Sequence, residues 1–146
     1  MSKQTDRIAS LIEELLTVSR IERGQIELEI APFDLNAALR DTIDEIGLTT
    51  SDFVLHVDEQ SQHLWVRGDR RRIHRVLTNL LNNAIKYSKQ RQEIRISIRR
   101  DEMQAVVSVT DYGIGIPEHQ QAHVFDLYFR AENAPTKHYA GLGLGM

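Results

Sequence analysis

Apolar residues recur at helical spacing in three stretches of the chain and alternate with polar ones in several shorter stretches. From Thr5 to Arg23, Ile8, Leu11, Leu15 and Val18 follow spacings of three and four, and Ile12, Leu16 and Ile21 widen the stripe. That spacing predicts an amphipathic helix, and Gly24 is placed to cap its C-terminus. The stripe is too short to establish a coiled coil, so it fits either a helix packed on its own domain or one that pairs with a partner helix. Next, Ile26, Leu28 and Ile30 alternate with Glu27 and Glu29, which predicts a half-buried strand over Gln25–Ile30, ended by Pro32. Asp34 is an N-cap for a second helix over Leu35–Gly47, with Leu35, Leu39, Ile43 and Ile46 on one side. Phe53, Leu55 and Val57 alternate as another strand, and a short one spans Leu64–Val66. Asp69 then caps a third helix, Arg70–Ser88, followed by strands over Glu93–Arg99 and Ala105–Thr110 and a glycine-rich, loop-like end. This order predicts an α+β fold, an α/β sandwich in which helices cover one face of a mixed sheet.

The third helix carries two patterns at once. Ile73, Val76, Leu77, Leu80, Leu81, Ala84 and Ile85 form an apolar stripe. Asn79, Asn83 and Lys86 stand at i, i+4 and i+7 and form a second row. Asparagine is a mediocre helix former because its side chain competes for nearby backbone groups. A solvated face explains one such residue more easily than the trio. Amide oxygens suit a hard cation such as Mg²⁺, while amide nitrogens and an ammonium donate to phosphate oxygens.

Composition narrows the choices without deciding them. The 146 residues, 41% hydrophobic and 27% charged, suffice for one domain with a real core. A formal net charge of −3 argues against a nucleic-acid binder, and Arg70-Arg71-Arg72 reads as a solvated helix start. With no cysteine, thiol nucleophiles, thiolate metal sites and disulfides are excluded. No apolar run approaches the roughly 20 residues of a membrane span, and the polar N-terminus MSKQTDR holds no signal-peptide core. The spaced pair His119 and His123 lacks the HExxH surroundings of a zinc site.

The row on the third helix calls for a part that holds a base and a part that closes over phosphates, and both follow in sequence. VVSVTDYGIGIP, Val106–Pro117, is a strand ending in Asp111, whose carboxylate can accept from an exocyclic amine and so select adenine. Gly113 and Gly115 permit a tight turn and close approach to a flat ligand, although a strand followed by a glycine turn is common in itself. FDLYFR, Phe125–Arg130, comes next, then a polar stretch and GLGLGM at Gly141–Met146, whose alternating glycines can offer backbone N–H groups to phosphate.

Read together, NLLNNAIKYS, DYGIGIP, FDLYFR and GLGLGM resemble, in order and spacing, the N, G1, F and G2 boxes of the ATP-binding catalytic domain of sensor histidine kinases. That family lies within the wider superfamily of DNA gyrase, Hsp90 and MutL. SRIERGQIELEIAPFDL resembles the family's junction between dimerisation helices and catalytic domain, so nearly the whole chain is covered. The resemblance implies a Bergerat-type ATP-binding fold over residues 25–146, incomplete at its C-terminus, preceded by the end of a dimerisation helix over 1–24. It implies ATP and Mg²⁺ as cofactors. Asn79 matches the metal ligand, Asn83 and Lys86 match residues near the phosphates, and Tyr87 matches the aromatic lining of the pocket. Asp111 matches the adenine-binding aspartate, Gly113 and Gly115 the G1 glycines, Arg130 the basic residue that reaches the γ-phosphate, and Gly141 and Gly143 the G2 glycines. Asn79, Lys86 and Arg130 would act in catalysis. The lid would span about Pro117–Ala140, and its Phe125 and Phe129 would pack either on the dimerisation helices or in the core.

As partners the resemblance implies a phosphoacceptor helical hairpin of the same kinase and a response regulator downstream. The apolar stripe of the first helix adds a homodimer through residues 5–23 as a hypothesis, and the charge and hydropathy of the chain predict no nucleic acid and no membrane contact. The resemblance implies a cytoplasmic location, with any membrane anchor elsewhere in a parent protein. Three departures stand out. Tyr139 occupies the position where the G2 box usually opens with glycine, and the chain stops at Met146, before the family's closing helix and strands. None of His56, His63, His74, His119, His123 and His138 is followed by Asp or Glu, as the family's acceptor histidine is. Two other readings stay open: an anti-sigma-factor-like serine kinase and binding module, and a dimerising interaction domain that has lost nucleotide binding.

Overall fold

The computed structural model describes residues 3–49, 52–60, 63–88, 90–126 and 129–133. Helix α1 spans Lys3–Glu22. It ends in a Schellman motif: the Gly24 N–H donates to the Ile21 carbonyl (3.0 Å), the Gln25 N–H donates to the Arg20 carbonyl (2.9 Å), and Gly24 sits at φ +63°. Strand β1 (Ala31–Asp34) leads straight into helix α2 (Leu35–Thr49), where Asp34 Oδ1 accepts the N–H groups of Asn36 and Ala37. Strands β2 (Val54–Glu59) and β3 (Trp65–Gly68) follow. Helix α3 (Arg70–Tyr87) is capped by Asp69, whose Oδ1 accepts from Arg71 and Arg72 N–H. Strands β4 (Glu93–Asp101) and β5 (Gln104–Asp111) and a short 3₁₀ turn (Glu118–His123) complete the order.

β4 is central in a mixed three-stranded sheet, parallel to β2 and antiparallel to β5. Its Ile94, Ile96 and Ile98 are at most 1% exposed, while Arg95 and Ser97 between them face the other side. The isoleucines join Leu35, Leu39 and Ile46 of α2 and Leu77, Leu81 and Ala84 of α3 in one core. Both helices therefore pack on one face of the sheet, as the sequence predicts. No helix among the described residues is long and apolar enough to cross a membrane.

One expected strand is absent. Residues Gln25–Ile30 have no regular structure, and the first strand begins at Ala31 instead. Leu28 and Ile30 are 56% and 50% exposed, so their alternation marks no buried face. The Glu29 N–H is satisfied by Asp69 Oδ2 (3.0 Å), not by a neighbouring strand. Pro32 does not end the strand but lies inside it, opposite Arg67 in the antiparallel β1–β3 ribbon. A two-stranded ribbon leaves one side of β1 unpaired, and the missing N–H of proline is tolerated at such an edge.

Candidate nucleotide site

The C-terminal half of α3 and the segment after β5 enclose a cavity of about 270 Å³. Leu80, Asn83, Ala84 and Tyr87 form the helix wall. Val109 and Asp111 come from the end of β5, Ile114, Gly115 and Ile116 from the turn that follows, and Phe129, Arg130 and Ala131 from beyond the 3₁₀ turn. Residues separated by more than forty positions thus meet because α3 and β5 lie side by side, with α3's apolar stripe holding it on the sheet. The lining is mostly apolar with a few convergent polar groups, the usual make-up of a small-molecule site.

Of the residues singled out from sequence, the cavity brings together Asn83, Tyr87, Asp111, Gly115 and Arg130. Asn79 and Lys86 are half-buried on the same helix but outside the lining, and the Lys86 ammonium lies 5.1 Å from the centre of the Tyr87 ring. Gly115 has φ +69°, a left-handed conformation that side chains disfavour. Gly113 serves another purpose: a Cβ there would lie 2.2 Å from the Tyr87 carbonyl oxygen. Its close approach is to the end of α3. The Gly113 N–H donates to Asp111 Oδ1 (2.8 Å), and the Ile114 N–H donates to the Tyr87 carbonyl (3.2 Å). Phe129 is part of the cavity wall, whereas Phe125 is 78% exposed. Gly141 and Gly143 lie outside the described residues, as does Tyr139.

Three residues that frame the site went unread in the sequence. Ser88 is fully buried at the end of α3 and bonds to both Arg91 and Tyr112. Arg91 stacks on the Tyr112 ring and binds Glu93, whose carboxyl is held below the usual range chiefly by the Arg91 side-chain hydrogen bonds and then by Arg95. Asn133 Nδ2 donates to the carbonyls of Ile114 and Gly115, both at 3.1 Å, tying residues 129–133 to the glycine turn. Only the position of Ser88 at a helix end hinted at such a role.

The arrangement has known counterparts. Over all 146 residues the chain is 30% identical to the sensor histidine kinase MtrB of Mycolicibacterium paratuberculosis (strain ATCC BAA-968 / K-10), and it spans 26% of that protein's length. Its fold matches the Acinetobacter baumannii histidine kinase AdeS with a TM-score of 0.73 at 29% identity, covering 97% of this chain and 64% of that one. It also matches the histidine kinase ThkA, solved in complex with the response regulator protein TrrA, with a TM-score of 0.70 at 26% identity, over 87% of this chain and 37% of that one. Residues 68–146, which hold α3, β5 and the whole cavity, match the family of histidine kinase-, DNA gyrase B- and HSP90-like ATPases. The chain belongs to that family and carries the catalytic-domain fold of its sensor histidine kinases.

Proposed function

We propose that this chain binds MgATP in the α3–β5 cavity and presents it for phosphoryl transfer to a histidine on a helical hairpin outside the chain, in a two-component kinase. The observation that carries this reading is the convergence of Asn83, Tyr87, Asp111, Gly115 and Arg130 on one cavity. At about 270 Å³ it is near the roughly 300 Å³ lower end of ligand pockets, room for a base with the phosphates beyond it. Bound MgATP would supply the γ-phosphoryl group. Asp111 accepts from the adenine amine, and Tyr87 flanks the base. Lys86 and Arg130 offset phosphate charge, so that this chain acts by positioning and electrostatics.

Among the described residues no group of three or more His, Cys, Asp or Glu could hold a metal alone. The amide oxygen of Asn79 suits Mg²⁺ as a single protein ligand, the remaining ligands being phosphate oxygens and water. Asn79 is no general base, so ATP hydrolysis should be slow. The names of MtrB, AdeS and ThkA support a histidine as acceptor, and the ThkA–TrrA complex supports a response regulator as the downstream partner. The exposed stripe of α1 supports pairing of two copies through residues 5–23.

Titration with a non-hydrolysable ATP analogue, with and without Mg²⁺, tests the reading. Binding should require Mg²⁺ for full strength, and Asp111→Asn should weaken it by about 10- to 100-fold. The isolated chain should gain no stoichiometric phosphohistidine from ATP. No binding by a folded chain would turn the reading toward a dimerising interaction domain.

A further inference from the structure

Asp111 can select adenine only if its carboxylate is held still, and the fold shows what holds it. Ser88, 0% exposed, donates its hydroxyl proton to the Arg91 carbonyl (2.9 Å) and accepts the N–H of Tyr112 (3.2 Å). A hydroxyl has one proton to give, so this residue is used in both directions. Tyr112 directly follows Asp111. On its ring lies the Arg91 guanidinium, 3.8 Å from the ring centre, and the same guanidinium donates from Nε (3.1 Å) and Nη2 (2.8 Å) to Glu93 Oε2. Past the glycine, the Ile114 N–H is fixed to the Tyr87 carbonyl. The backbone after Asp111 is therefore tied twice to the end of α3, through Ser88 and through Tyr87. On the other side, β5 pairs Asp111 with Ile94. Asp111 lies in the cavity lining with its Oδ1 engaged by the Gly113 N–H, which fixes the carboxylate to the turn.

We infer that Ser88, supported by the Arg91–Tyr112 stack, is a positioning residue that sets the direction of the Asp111 carboxylate and so the preference for adenine over other purines. The inference rests on the nucleotide reading of the cavity. It assigns specificity to groups that never touch the base. A loosened turn would still admit a nucleotide, but it would no longer tell an exocyclic amine from a carbonyl.

The experiment is calorimetric titration of the whole chain with ADP and with inosine diphosphate, both with Mg²⁺. The ratio of the two Kd values is read for the wild type, Asp111→Asn, Ser88→Ala, Ser88→Thr and Arg91→Ala, with urea unfolding in parallel. Ser88→Ala should lower the ratio about fivefold or more, and Ser88→Thr, which keeps the hydroxyl, should restore most of it. Arg91→Ala should lower it about twofold to fivefold. A merely structural serine would weaken both nucleotides alike and leave the ratio unchanged. If the wild type shows no preference, the adenine reading fails and this inference with it. If the wild type prefers ADP, Asp111→Asn abolishes that preference and a folded Ser88→Ala retains it, only the inference is overturned. Should Ser88→Ala not fold, Arg91→Ala decides, because its side chain is exposed: a reduced ratio supports the inference and an unchanged one overturns it.

Discussion

Helices α1 and α3 are alike in sequence and opposite in circumstance. They have 20 and 18 residues, and each carries an apolar stripe at helical spacing. In α3 the stripe reaches the sheet, and Leu77, Leu81 and Ala84 are 1–3% exposed. In α1 Ile8, Ile12, Leu15, Leu16 and Ile21 are 42–58% exposed, and the Arg75 guanidinium of α3 reaches the helix by donating to Thr17 at 3.4 Å. Periodicity identifies the face a helix would bury. It does not say whether the matching surface belongs to the same chain. Function divides along the same line, since the helix that finds its partner within the chain also builds the cavity.

The difference is broken most directly at Leu81. Leu81→Ala removes a side chain 1% exposed between α3 and the sheet and should destabilise the chain by about 2–5 kcal/mol. That is a large share of the roughly 5–15 kcal/mol that stabilises a domain of this kind. Urea unfolding reads it, and a loss below about 1 kcal/mol would mean that the α3–sheet contact is not the core. Gly113→Ala comes next. A Cβ at 2.2 Å from the Tyr87 oxygen and 2.7 Å from its carbonyl carbon meets backbone, which cannot move aside cheaply. The cost should be about 1–3 kcal/mol, together with weakened analogue binding, because the junction that carries Asp111 must open.

Acid should act on the body in a way set by its caps. The Asp69 carboxyl is held below the usual range, first by the Glu29 N–H and then by the N–H groups of Arg72 and Arg71. Asp34 is lowered as well, chiefly by its side-chain hydrogen bond with His63, and Glu93 chiefly by Arg91. A lowered native value means that the unfolded chain binds these protons first. The stability they contribute is complete above the unfolded carboxylate value of about 4 and is lost as pH falls through the lower native values. Urea midpoints should fall steeply below about pH 4, and Asp69→Asn should flatten that fall while lowering the midpoint at neutral pH. An unchanged slope would show that the cap is not ionised in the native state.

The same contrast explains what could be read in advance. The α3 cap, its stripe and its polar row depend on neighbours within a few residues. Three of the four boxes, NLLNNAIKYS, DYGIGIP and FDLYFR, each a local pattern, supply residues to the cavity, while GLGLGM lies outside the described residues. Residues 25–30 were misleading because alternation looks the same whether or not another strand is opposite. Pro32 looked like an end because the unpaired edge that tolerates it is fixed by β3, more than thirty residues away. Ser88 and Tyr112 are 24 positions apart, and no local pattern marks their bond. Gly113 was legible as a glycine required by close approach, but what it approaches is α3.

The smallest effect on the folded chain should come from α1, and it sharpens the comparison most. Ile12 is 52% exposed, so Ile12→Gln should change unfolding stability of the monomer by no more than about 0.5 kcal/mol. If the stripe is buried between two copies, each copy loses an apolar side chain whose full burial is worth about 1.5–3 kcal/mol. Sedimentation equilibrium of the wild type should then show a dimer whose dissociation constant rises at least tenfold in the variant. A wild type that stays monomeric at high concentration would remove the second copy as the partner. A dimer indifferent to Ile12→Gln would move the contact off this face of α1. In either case the near-zero effect on unfolding would stand, because it depends only on the half-exposure of Ile12 among the described residues, where the α3 stripe is instead buried on the sheet.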